Sequence, residues 1–163
     1  MFNGFVDTHT WLKLERFLNL RAVTPVVTHV RWCRHAAHFD SATGAGKSFC
    51  AGGDLGWMRD QRDMDAETRS AEAGKLATML GALNALPKPV IGKLQGNAFG
   101  GGVGMASVCD VAVGVDTLKM GFTETRLGII PATIGPYVLA RMGEGRARRV
   151  FMSARLFDAA EAV

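Results

Sequence analysis

The chain has 163 residues and a mass of 17.5 kDa, enough for one domain with a real core and too little for two ordinary ones. Its 48% hydrophobic and 21% charged residues exclude a disordered or fibrous chain, and no run approaches the roughly 18 apolar residues that mark a membrane span. Lysine and arginine exceed aspartate and glutamate by 19 to 15, a mild basic excess that suits an anionic small ligand and singles out no macromolecular partner.

Two stretches of different character meet near residue 43. All four histidines (His9, His29, His35, His38) and two of the tryptophans (Trp11, Trp32) precede it, whereas of the 20 glycines only Gly4 does. Trp11 to Leu20 could make a turn or two of helix and Val23 to Val30 a short strand, but neither is bounded by caps or turns. Arg31, Arg34, His35 and His38 then interrupt any apolar pattern, and His35 to Asp40 is not expected to form a strand. Asp7, Glu15 and the lack of serine argue against a targeting presequence, and three cysteines (Cys33, Cys50, Cys109) without a secretory leader point to reduced thiols in a reducing compartment, the cytoplasm.

The second stretch is organised. Leu76, Met79, Leu80, Leu83 and Leu86 recur on one face of a helix expected over Arg69 to Leu86, which Pro87-Lys88-Pro89 ends. Val90 to Leu94 reads as a strand, and Gly96 to Gly102 as a turn leading into a small-residue helix that reaches Val108. Short strands follow at Asp110 to Val113 and Lys119 to Phe122, then helices over Ile134 to Met142 and Arg146 to Met152. Asp158 with Glu161 three residues on reads as a capping box for one more helix. Strands alternating with helices define an α/β layer architecture.

Several motifs fail on spacing. Gly44-Ala45-Gly46-Lys47-Ser48 suggests a phosphate loop, but Ser41 stands where its first glycine belongs and no apolar strand precedes it. The glycines at 96 to 104 lack the dinucleotide spacing, and His35 with His38 lacks a third metal ligand. Arg141, Arg146, Arg148, Arg149 and Arg155 cluster without interleaved aromatics, so a solvated helix face explains them better than nucleic acid.

Two glycine clusters remain. Phe49-Cys50-Ala51-Gly52-Gly53-Asp54-Leu55 and Gly100-Gly101-Gly102 each place small residues before a helix start. Such clusters allow two backbones to pack closely. They also allow each segment to offer one N–H to a single carbonyl oxygen, which is how a two-donor oxyanion hole is built.

With these segments on view, Phe49 to Leu55, Asn97 to Asp110 and Met120 to Pro131 resemble, in order and spacing, the three signature segments of the crotonase (enoyl-CoA hydratase/isomerase) superfamily. The resemblance covers about residues 43–163, and the Ile130-Pro131-Ala132-Thr133-Ile134-Gly135-Pro136 variant is similar to methylglutaconyl-type hydratases. It implies a partial crotonase fold, a ββα superhelix lacking the C-terminal helical region, with residues 1–42 as a poorly matching, non-native or frame-shifted segment. It implies that Gly53 and Gly101 hold the thioester oxygen, that Glu124 is catalytic, and that Lys47, Phe49, Ala51, Asp54 and Leu55 lie along the acyl-CoA. CoA is then part of the substrate, and no cofactor, metal, nucleic acid or membrane partner is implied. Gly104 stands where hydratases usually carry a second glutamate. Hydration of a 2-enoyl-CoA in fatty acid or leucine breakdown is the first expectation. Double-bond isomerisation, or binding of acyl-CoA without turnover, are the alternatives. The family's homotrimer, or dimer of trimers, is expected to be impaired, leaving apolar faces such as that of Leu76, Leu80 and Leu83 in water.

Overall fold

A computed structural model describes residues 30–35 and 39–163. The helix and strand expected over Trp11 to Leu20 and Val23 to Val30 fall outside these residues, Val30 apart. The described chain opens on an antiparallel pair, β1 (Val30–His35) and β2 (Phe39–Gly44). No strand was expected over Phe39–Gly44. The apolar pattern is missing because β2 buries Asp40, Ser41 and Ala42, two of them polar, in the middle of a sheet. Pairing on both sides, with β1 and with β3, makes the strand despite its composition.

Two helices carry the chain from β2 to its parallel neighbour β3 (Val90–Leu94): α1 (Leu55–Arg62) and α2 (Ala66–Asn84). α2 begins three residues before the expected start because the Asp65 carboxylate accepts from the Thr68 N–H at 2.8 Å and caps it. From β3 the chain enters β4 (Ala98–Phe99), then α3 (Gly101–Val108), and returns as β5 (Val111–Gly114), again parallel to β3. The main sheet therefore runs β1-β2-β3-β5. A second sheet, ordered β4-β6-β7, adds β6 (Lys119–Gly121) and β7 (Leu156–Asp158). Between them lie a 3-10 turn (Glu124–Leu127), α4 (Gly135–Met142) and α5 (Glu144–Ser153). A last short helix, α6 (Ala159–Ala162), is capped as expected by Asp158, which accepts from the Glu161 N–H at 3.0 Å.

The core lies between α2, α3 and the second sheet. Phe49, Leu80, Phe122 and Val138 have no exposed surface, and Phe122 meets Phe151 edge to face at 4.7 Å. Each such side chain contributes about 1.5–3 kcal/mol by leaving water. Leu80 and Leu83 are buried and Leu76 packs against them, so the apolar face of α2 is covered, contrary to expectation. Apolar surface is exposed elsewhere, on the edge strand β5 at Val111 and Val113 and in the segment holding Leu127, Ile129 and Ile130. The arginines are engaged locally: Arg141 donates to the carbonyls of Cys109 and Asp110, Arg148 pairs with Glu144, and Arg149 and Arg155 with Glu161. No helix among the described residues is long and apolar enough to cross a membrane.

Candidate active site

The first glycine cluster is held by main-chain bonds to the segment before β4. Phe49 and Cys50 donate to the Asn97 carbonyl at 2.9 and 3.2 Å, and Phe99 donates back to the Cys50 carbonyl at 3.0 Å. Beyond Cys50 the chain turns through Gly52 at φ +106°, a conformation L side chains rarely adopt. It then starts α1, where the Asp54 carboxylate accepts from Trp57 N–H at 2.8 Å.

The second cluster turns at Gly100, with φ +49° and ψ −114°, its N–H bonded to the Gly121 carbonyl at 3.0 Å. Gly101 then opens α3. A Cβ on Gly102 would lie 2.6 Å from Cys50 Cβ, so the glycines do bring two backbones into close contact. Gly53 and Gly101 leave their N–H groups without a hydrogen-bond partner among the described residues. An N–H at the start of a helix has no intrahelical acceptor and carries the positive end of the helix dipole.

Glu124 begins the 3-10 turn directly after Thr123, which follows the buried Phe122. Its Oε1 lies 2.8 Å from where a Cβ on Gly100 would be, and its Oε2 is buried without a hydrogen-bond partner. Burial pushes this carboxyl above its ordinary value, opposed in part by its own backbone N–H.

Gly53, Gly101 and Glu124 line one cleft of about 140 Å³, whose other walls are Trp57, Met58, Leu76 and Ile130 to Ile134. The cleft combines two main-chain donors, one partly desolvated carboxylate and apolar walls. Groups of these kinds are the ones that hold a carbonyl oxygen as it gains charge and move a proton beside it. A second cavity, about 190 Å³, lies on the opposite flank of α3 among Leu94, Val103, Leu118, Met120 and Phe157 and shares no residue with the cleft. Its polar side chains, Ser107 and Arg141, are already bonded to main-chain carbonyls, so it lacks a reactive group.

Of the other expected ligand residues, Lys47, Phe49, Ala51 and Asp54 stand outside the cleft. Lys47 is exposed on the loop after β2, and Ala51 is exposed on the turn. Phe49 is a core side chain with no exposed surface rather than one that faces a ligand. Asp54 uses its carboxylate as a helix cap, and the side chain of Leu55 lies outside what is described. The cleft walls Trp57, Met58 and Leu76 were not among the expected site residues. An aromatic in the first turn after a glycine pair and a capping aspartate is the one sequence feature that could have flagged Trp57. At Gly104, buried in α3, an added Cβ would lie 2.4 Å from Ile134 Cγ2, so Ile134 occupies the space a side chain there would need.

The layered fold and this cleft define a crotonase-type α/β domain. A family model for enoyl-CoA hydratase/isomerase matches residues 42–163, and the chain belongs to that family. It is 38% identical over 122 residues to an enoyl-CoA hydratase of Alternaria alternata, and 36% identical over 115 residues to the mitochondrial methylglutaconyl-CoA hydratase of Homo sapiens. These matches take in 75% and 70% of this chain and 39% and 33% of those proteins, so the chain spans well under half the length of these relatives. The crystal structure of an enoyl-CoA hydratase from Shewanella pealeana superposes with a TM-score of 0.77 at 34% identity, over 96% of this chain and 56% of that one.

Proposed function

We propose that this chain carries the active site of an enoyl-CoA hydratase, which adds water across the 2,3-double bond of an acyl-CoA thioester. The reading rests on one observation, the convergence of Gly53, Gly101 and Glu124 on a single cleft. In this reading the thioester oxygen accepts from the two glycine N–H groups. Glu124 takes a proton from water, whose oxygen attacks C3. The electrons of the double bond move onto the thioester oxygen as an enolate, which the two donors stabilise. Glu124 then returns the proton to C2, so one carboxylate serves both transfers and the atoms balance. Its burial-raised pKa suits a group that must accept and release a proton in one turnover.

Lys47 and the main chain at Ala51 are proposed to flank the CoA, which is carried by the substrate, so the reaction uses no further cofactor. The resemblance to methylglutaconyl-type hydratases supports a branched acyl group. A cytoplasmic homotrimer, or dimer of trimers, belongs to the same proposal and rests on the cysteines and the family.

A second reading, isomerisation of a 3-enoyl-CoA, is favoured by Gly104 and by Ile134 filling the space beside it. A 1,3-proton shift needs only one carboxylate. Incubation with crotonyl-CoA tests the first reading: the conjugated-thioester absorbance should fall and a 3-hydroxyacyl product appear. A 3-enoyl-CoA that gains that absorbance without hydroxyacyl product would instead establish the isomerase. Binding with no turnover of either substrate would leave an acyl-CoA-binding chain and refute both.

A further inference from the structure

The loop Gly44 to Ser48, which failed as a phosphate loop, is wrapped around one side chain. Gln95 follows β3 and is half-buried. Its Nε2 donates to the carbonyls of Gly46 and Ser48, both at 2.9 Å. Its Oε1 accepts from the Gly44 N–H at 3.0 Å and from the Thr43 hydroxyl at 3.2 Å. Both donors and both acceptor sites of the carboxamide are thus in use. The fit around it is close: a Cβ on Gly44 would lie 2.3 Å from Gln95 Nε2, and one on Gly96 would lie 2.0 Å from the Lys47 carbonyl oxygen.

The grip continues along the chain. Immediately after the loop, Phe49 and Cys50 bond to Asn97, two residues beyond Gln95. The segment from Gln95 to Gly100 therefore holds the Lys47 loop at one end and turns into the Gly101 donor at the other. We propose that Gln95 is a positioning residue that locks this loop in place and thereby sets the affinity of the cleft for a CoA thioester. The second half of that statement rests on the functional reading above. Beyond Gly44, the last residue of β2, the loop has no regular secondary structure and exposes Ala45, Gly46 and Lys47, so little else orders it. No proton transfer passes through Gln95, which stands apart from Glu124, so its loss should weaken binding while leaving the chemical step intact.

The test compares the parent with Gln95→Met, of similar length but without hydrogen bonds, and Gln95→Glu, which keeps the acceptors and loses the donors. Hydrogen exchange at Gly44, Phe49 and Cys50, with α3 amides as the internal reference, reads the loop directly. Calorimetry with butanoyl-CoA, a saturated thioester with no double bond to hydrate, reads affinity, and initial rates with crotonyl-CoA read kcat and KM. Gln95→Met should speed exchange at these three amides while α3 is unchanged, and should raise the Kd about tenfold. Gln95→Glu should fall between it and the parent, and kcat should change far less than KM. Unchanged exchange in Gln95→Met overturns the proposal. Faster exchange with unchanged Kd and KM also overturns it, reducing Gln95 to a structural residue. A parent chain that does not bind the thioester overturns the functional reading instead, while the exchange comparison still decides whether Gln95 holds the loop.

Discussion

Substituting Gly100 by alanine strikes the backbone and the carboxylate at once. At φ +49° and ψ −114° the residue occupies a region that favours glycine, and holding an L side chain there costs on the order of 1–3 kcal/mol. The new Cβ would lie 2.8 Å from Glu124 Oε1, and ordinary contact begins at 3.4 Å, so the carboxylate must retreat by about 0.6 Å. Displacements of about 1 Å at reacting groups cost up to roughly 10²-fold in rate. Gly100→Ala should therefore lower Tm by several degrees, at about 2–4 °C per kcal/mol for a domain of this size, and cut turnover of crotonyl-CoA by tens-fold or more. Gly128→Ala is the control, because Gly128 also has a positive φ, +72°, but has nothing within 4 Å of the added Cβ. That variant should lose stability, by about 1–2 kcal/mol, and keep its rate. Thermal melts and initial rates on the two variants decide the matter. If Gly100→Ala melts with the parent, or if both variants lose rate equally, the coupling of this turn to Glu124 is wrong.

Glu124→Gln should cut turnover by about 10²- to 10⁴-fold, the usual span for a general acid–base, as followed by product formation. Burial raises the folded-state pKa of Glu124, so the folded chain holds this proton more tightly than the unfolded chain; the stability it contributes is full below the unfolded value and lost as pH rises through the folded one. Melts of Glu124→Gln should accordingly lie above the parent at neutral pH and converge with it in acid, while the acid limb of the parent's rate profile should sit above the ordinary carboxylate range. Gly104→Ala should destabilise by about 1–3 kcal/mol through overpacking against Ile134, and urea titrations should show that Ile134→Ala recovers part of this in the double variant; strict additivity would refute the contact. On the open edge of the main sheet, Val113→Lys should suppress concentration-dependent association seen by sedimentation velocity, because an apolar edge strand templates pairing with another chain.

Elements whose signals are local were legible in the sequence. β3 spans Val90–Leu94 as read, and α4 starts one residue late because Pro136 belongs in its first turn. The glycine turns were legible for the same reason, since a positive φ and a helix start impose residue types at fixed positions, whereas Glu124 was singled out only through the family resemblance. β2 was not, because its centre is Asp40-Ser41-Ala42 and only its partners on both sides make it a strand. The cleft walls also escaped. Trp57, Leu76 and Ile134 meet there through the packing of α1, α2 and the segment before α4, which no local pattern encodes. Asp54, a polar residue beside a glycine pair, caps α1 with its carboxylate, a role the sequence did not point to. Gln95 carries no pattern at all, and its importance is visible only once four partners from the end of β2 and the loop after it surround it.

In the proposed reaction Gly53, Gly101 and Glu124 add water to an enoyl thioester. It is tested most directly by incubating the chain and its Glu124→Gln variant with crotonyl-CoA in heavy-oxygen water and weighing the products by mass spectrometry. The parent should form a 3-hydroxyacyl-CoA carrying one heavy oxygen on the acyl chain, and the variant almost none in the same time. No labelled hydroxyacyl product from the parent, or equal labelling by both chains, would contradict it.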